Sequence, residues 1–266
     1  TPILCDPEVP EPADYLVLES TYGDRIHEDR TQRIKRLALL INRALSDRGK
    51  IFIPAFALGR TQELIYEMDR LFSNQKSRPP VFLDSPLGIK ITEIYSDLSK
   101  YWDKEARELL FNGNHPIDFN YLYAVEDYRD HLRLINISDS AIIIAGSGMC
   151  SGGRIIDHLK VGLKDPANDL FFAGYQANGT PGRDIIKYSK IPHGYIRLEG
   201  ERIEINAKVH NLTGYSAHAD QQGLLDWVES IAQKPGEIKL VHGEYHARKT
   251  LKDLLENKGH NVVNSM

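Results

Sequence analysis

Short apolar runs separated by helical stripes set the texture of this chain. YLVLE at residues 15–19 runs into a loop, ESTYGDR. In the segment after it, RTQRIKRLALLINRALSDRG, residues Ile34, Leu37, Ile41 and Leu45 recur at helical spacing and Gly49 marks the stop. The pattern then repeats. IFIPAF (51–56) leads through LGR into TQELIYEMDRLF, and PPVFLDS (79–85) leads through PLG into ITEIYSDLSKYW. AIIIAG (141–146) leads through SGMCSGG into RIIDHLKVGL, and DLFFAGY (169–175) follows. Continuous apolar strands joined by helices predict an α/β fold whose parallel sheet is buried on both faces. From about residue 190 the texture changes, because GYIRLEGERIEINAKVHNLTG alternates as antiparallel strands do. The chain then returns to strand and helix with DQQGLLDWVESI, EIKLVHG and YHARKTLKDLLENKG, while residues 111–130 carry only weak local signals.

Composition narrows the function classes. The 266 residues are 41% hydrophobic and 26% charged, the balance of a soluble globular protein able to bury a core. A formal net charge of −4 gives no global basic footprint, so a phosphodiester would have to be gripped locally, by a few arginines, helix N-termini or metal ions. Two isolated cysteines, Cys5 and Cys150, form no disulfide framework and no metal-type spacing, which points to a reducing compartment and a cytoplasmic location. No apolar run is long enough to span a membrane.

Four places carry the unusual chemistry, each where a strand gives way to a loop: Glu19, the GSGMCSGGR loop at 146–154, His218 in GYSAHAD, and His242 in LVHGE. Singly each has a structural reading, a carboxylate capping a turn or a histidine hydrogen-bonded at a strand end. A serine nucleophile finds no support, since GYSAH has His218 where the elbow motif needs its second glycine. GSGMCSGGR likewise lacks the Lys-Ser/Thr of a P-loop. Its small residues could still aim backbone N–H groups at an anion, or simply make a tight turn with an accessible backbone.

Taken in order, ESTYGDR, IPAFALGRTQELIY, FLDSPLG, IIIAGSGMCSGGR, GYQANGTPGRDI, GYSAHAD and LVHGE resemble the β-CASP branch of the metallo-β-lactamase superfamily over nearly the whole chain. That resemblance implies a parallel-sheet β-CASP module inserted in the C-terminal part of a metallo-β-lactamase (αββα) domain. It assigns residues 27–205 to the β-CASP domain, residues 1–26 to the end of an incomplete N-terminal part of the outer domain, and residues 206–266 to its C-terminal part. Family members hydrolyse RNA phosphodiesters with a pair of zinc ions at a cleft between the two domains. Their metals are held mainly by His-x-His-x-Asp-His, a further histidine and a bridging aspartate, all preceding the segment that matches ESTYG, and no such motif occurs here. The chain is therefore expected to be the C-terminal portion of such an enzyme, unable to bind the zinc pair or act by itself.

The resemblance implies roles for what remains. His218 and Glu19 match the family's histidine and acidic partner, the expected general acid and its orienting group; His242 matches the last zinc ligand; and Ser216 is the phosphate contact beside His218. His246, His210 and His158 match no role. RNA contacts are expected from Ser147, Gly148, Ser151, Gly152 and Gly153 and from Arg60, Arg154 and Arg183, each arginine lying beside a glycine. Arg183 could equally brace the two domains. Phe56 is read as core rather than as a stacking platform, because it ends an apolar strand. The expected partner is single-stranded RNA, with a second copy or the partners of a processing complex as further candidates. Two other readings stay open: a non-catalytic RNA-binding or scaffolding paralogue, and a DNA-processing nuclease of the same superfamily.

Overall fold

Alternation within each apolar run decides which side chains face which layer. The structure is a computed structural model that describes residues 2–73, 78–212 and 215–263; Gly214, which opens GYSAHAD, lies outside the described residues. In chain order the first elements are β1 (Tyr15–Glu19), α1 (Arg30–Leu45), β2 (Ile51–Pro54), α2 (Arg60–Phe72), β3 (Val81–Asp84), α3 (Pro86–Asp97) and α4 (Lys104–Phe111). Next come β4 (Leu122–Ala124), α5 (Tyr128–Ile135), β5 (Ile142–Ala145), α6 (Ile155–Gly162), β6 (Asp169–Phe172) and α7 (Pro181–Tyr188). The last are β7 (Tyr195–Leu198), β8 (Glu201–Glu204), β9 (Lys208–Asn211), α8 (Gln221–Glu229), β10 (Glu237–Val241), α9 (Tyr245–Asn257) and β11 (Val262–Val263). They divide into two compact units, Thr1–Cys5 with Asp29–Ser216, and Asp6–Glu28 with Ala217–Met266. Among the described residues no helix is long and apolar enough to cross a membrane.

The first unit is built on a six-stranded sheet of order β4-β3-β5-β2-β6-β9, parallel at every pairing. Ile51, Ile53, Ile142, Ile144 and Phe171 share a core with Leu37 and Ile41 of α1 and Leu64, Ile65 and Met68 of α2. Their neighbours Phe52, Ile143, Leu170 and Phe172 enter a second core with Leu134 of α5, Ile155 and Leu159 of α6, and Ile185 of α7. Successive residues of one strand thus feed opposite layers, which is why these runs read as continuously apolar.

The antiparallel expectation holds for β7 and β8, which pair as a two-stranded ribbon. It fails for KVHN: β9 lies parallel to β6 at the edge of the main sheet. Alternation reports one half-buried face and does not say which strand lies alongside. The stretch 111–130 resolves into the end of α4, β4 and the start of α5. Gly49 also acts differently from a helix stop. The left-handed residue after α1 is Arg48 (φ 64), whereas a Cβ on Gly49 would lie 1.9 Å from the Ala167 carbonyl oxygen.

The second unit holds a three-stranded parallel sheet, β1-β10-β11. Leu16, Leu18, Ile238, Leu240 and Val262 pack on one face against Leu224, Leu225 and Val228 of α8 and Leu251 and Leu255 of α9. On the opposite face of β1, Tyr15 and Val17 are 76% and 65% exposed.

Candidate active site

Parallel pairing brings the ends of β1 and β10 together, with Glu19 in register with Val241, so the loops that follow them emerge side by side. Glu19 closes one strand, and His242 follows the other. A third segment joins through a bridge between Tyr22 and Asp220, which carries His218 alongside. Asp220 fixes that segment: one carboxylate oxygen accepts the Gly223 N–H at 2.8 Å and caps α8, and the other accepts the His27 N–H at 2.9 Å. His27 also reaches back with Nε2, 3.2 Å from the His218 carbonyl.

The result is a cluster in which ligand atoms of Glu19, His218 and His242 all lie within 4.8 Å of one another. His218 Nδ1 is 3.5 Å from Glu19 Oε1, and the two imidazole rings are 5.0 Å apart by their centroids. Thr21 sits among them: its N–H donates to Glu19 Oε2 at 2.7 Å and its hydroxyl donates to the His242 carbonyl at 2.9 Å. The same hydroxyl lies 3.4 Å from His218 Nδ1 and 3.3 Å from His242 Nδ1. Partial burial would raise the Glu19 carboxyl, but hydrogen bonds from His218 and Thr21 outweigh it and hold Glu19 below its ordinary value, ionised beside the imidazole.

His242 adopts the left-handed backbone region (φ 52), which a non-glycine residue occupies at a cost of about 1–2 kcal/mol. Its carbonyl is anchored by the Ser20 N–H at 3.4 Å and the Thr21 hydroxyl. The following Gly243 is required by close approach, since a Cβ there would sit 2.6 Å from both the carbonyl and the hydroxyl oxygen of Ser20. Strain held by this many contacts is a signature of functional positions.

Zinc accepts imidazole nitrogen and carboxylate oxygen, and His242 fits one corner of such a centre: it is exposed, with Nδ1 3.3 Å from the Thr21 hydroxyl. One matching ligand is fewer than the three or more protein ligands a zinc ion takes.

The other expected residues fall in the first unit or at its end. Ser216 is its last, half-buried residue. In the glycine-rich loop the Ser147 N–H donates to the Gly152 carbonyl at 3.0 Å and the Ser151 N–H to Ser147 Oγ at 3.0 Å, so these donors are spent on the loop itself. Gly148 is buried beneath Phe56, whereas Ser151 and Gly153 are exposed and Gly152 has open space where a Cβ would project. Phe56 is 46% exposed and so is not core; ending a buried strand places it at the sheet's rim.

Two arginines depart from expectation. Arg60 is 6% exposed and paired with Glu63 one helical turn on. Arg154 donates to Asp84 Oδ1 at 2.8 Å and to the Val125 and Glu126 carbonyls at 2.7 Å each. Arg60 is buried and Arg154 half-buried, and both guanidinium groups bond internal acceptors, as a desolvated arginine must satisfy its donors. Arg183, in the first turn of α7, is exposed.

The sequence reading missed a second cluster. Asp84 Oδ2 lies 2.6 Å from both His131 Nδ1 and His158 Nε2, and all three residues are buried. The signal was present in VFLD, an apolar run ending in a carboxylate at a position the sheet must bury.

With the geometry in hand, likeness to known proteins has residues to attach to. Residues 61–185 match the Beta-Casp domain family, and residues 202–265 match the family described as Zn-dependent metallo-hydrolase RNA specificity domain. Ribonuclease TTHA0252 of Thermus thermophilus is 36% identical over 260 residues, 98% of this chain and 58% of that protein. Transcription termination factor FttA of Pyrococcus horikoshii is 34% identical over 233 residues, 86% of this chain and 36% of that protein. FttA of Methanococcus maripaludis is 31% identical over 233 residues, again 86% of this chain and 36% of its relative. The chain thus spans 58% of the first relative's length and 36% of the other two. Two family domains in tandem, relatives aligned across almost the entire sequence and a parallel α/β architecture agree: the chain belongs to the β-CASP branch of the metallo-β-lactamase superfamily.

Proposed function

We propose that this chain is the C-terminal portion of a zinc-dependent ribonuclease that hydrolyses single-stranded RNA to leave a 5′-phosphate and a 3′-hydroxyl. The observation that carries the reading is the pairing of His218 with Glu19 beside His242, three groups of complementary chemistry at adjacent strand ends. His242 would hold zinc together with ligands from the rest of the protein, and zinc bound there would supply Lewis-acid stabilisation of negative charge on the phosphate. His218 donates a proton to the departing 3′-oxygen. Glu19, held ionised, orients the ring. Ser216 contacts the phosphate, and the exposed part of the glycine-rich loop, Ser151 to Gly153, meets the RNA backbone with Arg183. Arg60 and Arg154 shape the protein under that surface.

Relatives named as a ribonuclease and as a transcription termination factor support RNA as the substrate. The uncovered Tyr15 and Val17 support a further layer on the second unit's sheet, as a complete αββα domain would provide. By itself the 266-residue chain is expected to carry no zinc pair and no nuclease activity; two tightly bound zinc ions per chain, found by elemental analysis after zinc repletion, would contradict this.

The general-acid role is tested in the full-length protein with a substrate whose scissile 3′-oxygen is replaced by sulfur. A thiolate leaves without a proton, so His218→Ala should be slow on ordinary RNA and recover most of its activity on the sulfur substrate. Equal impairment on both, with zinc content unchanged, would refute the assignment.

A further inference from the structure

Among the described residues, Thr21 touches every other part of the cluster, and its hydroxyl has a fixed inventory: one proton to donate and two lone pairs to accept with. The proton goes to the His242 carbonyl at 2.9 Å. What remain are the lone pairs, and they face His218 Nδ1 at 3.4 Å and His242 Nδ1 at 3.3 Å. An oxygen whose proton is spent can receive from an imidazole N–H but cannot give to a bare imidazole nitrogen. Each ring is therefore held with its hydrogen on Nδ1. For His242 the lone pair then lies on Nε2, the state a metal ligand needs; for His218, Nε2 is the site at which an additional, transferable proton resides.

We propose that Thr21 is a positioning residue whose hydroxyl sets the tautomer of His242 and, together with the Glu19 carboxylate, that of His218. The inference rests on the proposed function for the use made of those tautomers, but not for the tautomers themselves. Two features of the backbone make Thr21 suited to the task. Its N–H is tied to Glu19 Oε2 at 2.7 Å, and Glu19 is the carboxylate that shares His218 Nδ1, so carboxylate and hydroxyl approach the ring from one rigid turn. Its donor bond lands on the carbonyl of the very residue whose ring it receives from. That bond helps hold the left-handed backbone at His242 and so couples the ligand's backbone to its ring. Partners that hold a ligating histidine through its second nitrogen typically alter metal affinity about 10- to 100-fold when removed.

The experiment compares wild type, Thr21→Val and Thr21→Ser. Valine keeps the shape and loses the hydroxyl, whereas serine keeps the hydroxyl and loses a methyl. If the valine variant does not fold, Thr21→Ala makes the same comparison. The first readout is nitrogen-15 NMR of the His218 and His242 rings in the metal-free 266-residue chain, at a pH above the histidine range. Wild type and Thr21→Ser should show the hydrogen on Nδ1 of both rings, and Thr21→Val should shift His242 toward the Nε2–H form while the Glu19 carboxylate keeps His218 on Nδ1–H. The second readout is zinc affinity by chelator competition in the full-length protein, expected to fall about 10- to 100-fold in Thr21→Val and to stay near wild type in Thr21→Ser. A His242 ring that keeps Nδ1–H in Thr21→Val, or a Thr21→Ser variant as altered as the valine one, overturns the inference. If the His242 tautomer switches as expected while full-length wild type binds no zinc, the zinc reading fails and the positioning role of Thr21 stands.

Discussion

Two clusters among the described residues contain the same ingredients, one carboxylate and two histidines with ligand atoms within 4.8 Å of one another, and they differ in burial and in how closely their groups are bonded. In the second unit, Glu19 and His218 are partly exposed and His242 is exposed; the closest approach of carboxylate to ring is 3.5 Å, and a neutral threonine occupies the centre. In the first unit, Asp84, His131 and His158 are buried, and Asp84 accepts from both rings at 2.6 Å on one oxygen and from Arg154 at 2.8 Å on the other. Ligands at zinc-bond distance in a tetrahedral site stand about 3.3 Å apart, so atoms at hydrogen-bonding distance leave no room between them. The Arg154 guanidinium adds a positive charge where a cation would go. His131 Nε2 is also engaged, 3.2 Å from Asp157 Oδ2. The buried cluster joins the end of β3 to α5, α6 and the glycine-rich loop by saturating Asp84, while the other is held by longer contacts and reaches solvent. Composition is shared; hydrogen-bond saturation and access to solvent separate a brace from a site.

That contrast can be broken by substitutions that exchange the two behaviours. The largest effect is expected from His218→Ala in the full-length protein, a 10²- to 10⁴-fold loss of rate on RNA with the melting temperature little changed. Next, Asp84→Asn should lower the unfolding free energy of the chain by about 3 kcal/mol in urea titrations, because it leaves the Arg154 charge without its partner. A neutral result there would make Asp84 dispensable and end the comparison. Glu19→Gln should cost about 10-fold in rate and little stability, since Glu19 is 27% exposed and acts through His218. Should Glu19→Gln destabilise as much as Asp84→Asn, the two clusters would be braces of one kind.

Most of the frame was legible in the sequence because burial on both faces leaves a strong mark. IFIP, VFLD, IIIA and DLFF are strands where apolar runs predict them, and a helix is the next element after each of the four. What was not legible is pairing. Nothing in KVHN says that it lies beside β6, and nothing in EST says that Thr21 will stand between two histidines some 200 residues further along the chain. Glu19, His218 and His242 could be named from their motifs, and the register of β1 with β10 explains why two of them meet. Arg60 and Arg154 show the opposite failure. An arginine beside a glycine looks like a phosphate contact in sequence, but whether its guanidinium is free depends on acceptors brought in by distant segments, here Asp84, Val125 and Glu126 for Arg154.

The smallest expected effect concerns how the buried cluster responds to acid. Burial lowers the His158 imidazole below its usual value; hydrogen bonding and attraction from Asp84 oppose this without cancelling it, and His131 and Lys50 push the same way as burial. Its Nδ1 has no partner among the described residues, as suits a neutral ring donating from Nε2 alone. Above the unfolded histidine value of about 6.5, neither state takes up the proton and the full stability is present. As pH falls below that value, the unfolded chain binds a proton that folded His158 refuses, so stability is lost until the pH passes through the lowered folded value. Asp84 adds a separate limb. Burial would raise its carboxyl, but hydrogen bonds from His158, His131 and Arg154 hold it below its ordinary value, so its contribution persists above about pH 3.9 and is lost only in stronger acid. Below about pH 6.5 and above the lowered folded value, His158 therefore contributes a slope of at most about 1.4 kcal/mol per pH unit. His158→Gln keeps an N–H donor for Asp84 and cannot titrate. It should be less stable than wild type at neutral pH yet fall less steeply on acidification, with the difference in slope, read from urea unfolding at several pH values, approaching one proton. Parallel slopes would mean that His158 titrates alike in both states, and that the cluster around Asp84 does not hold it neutral.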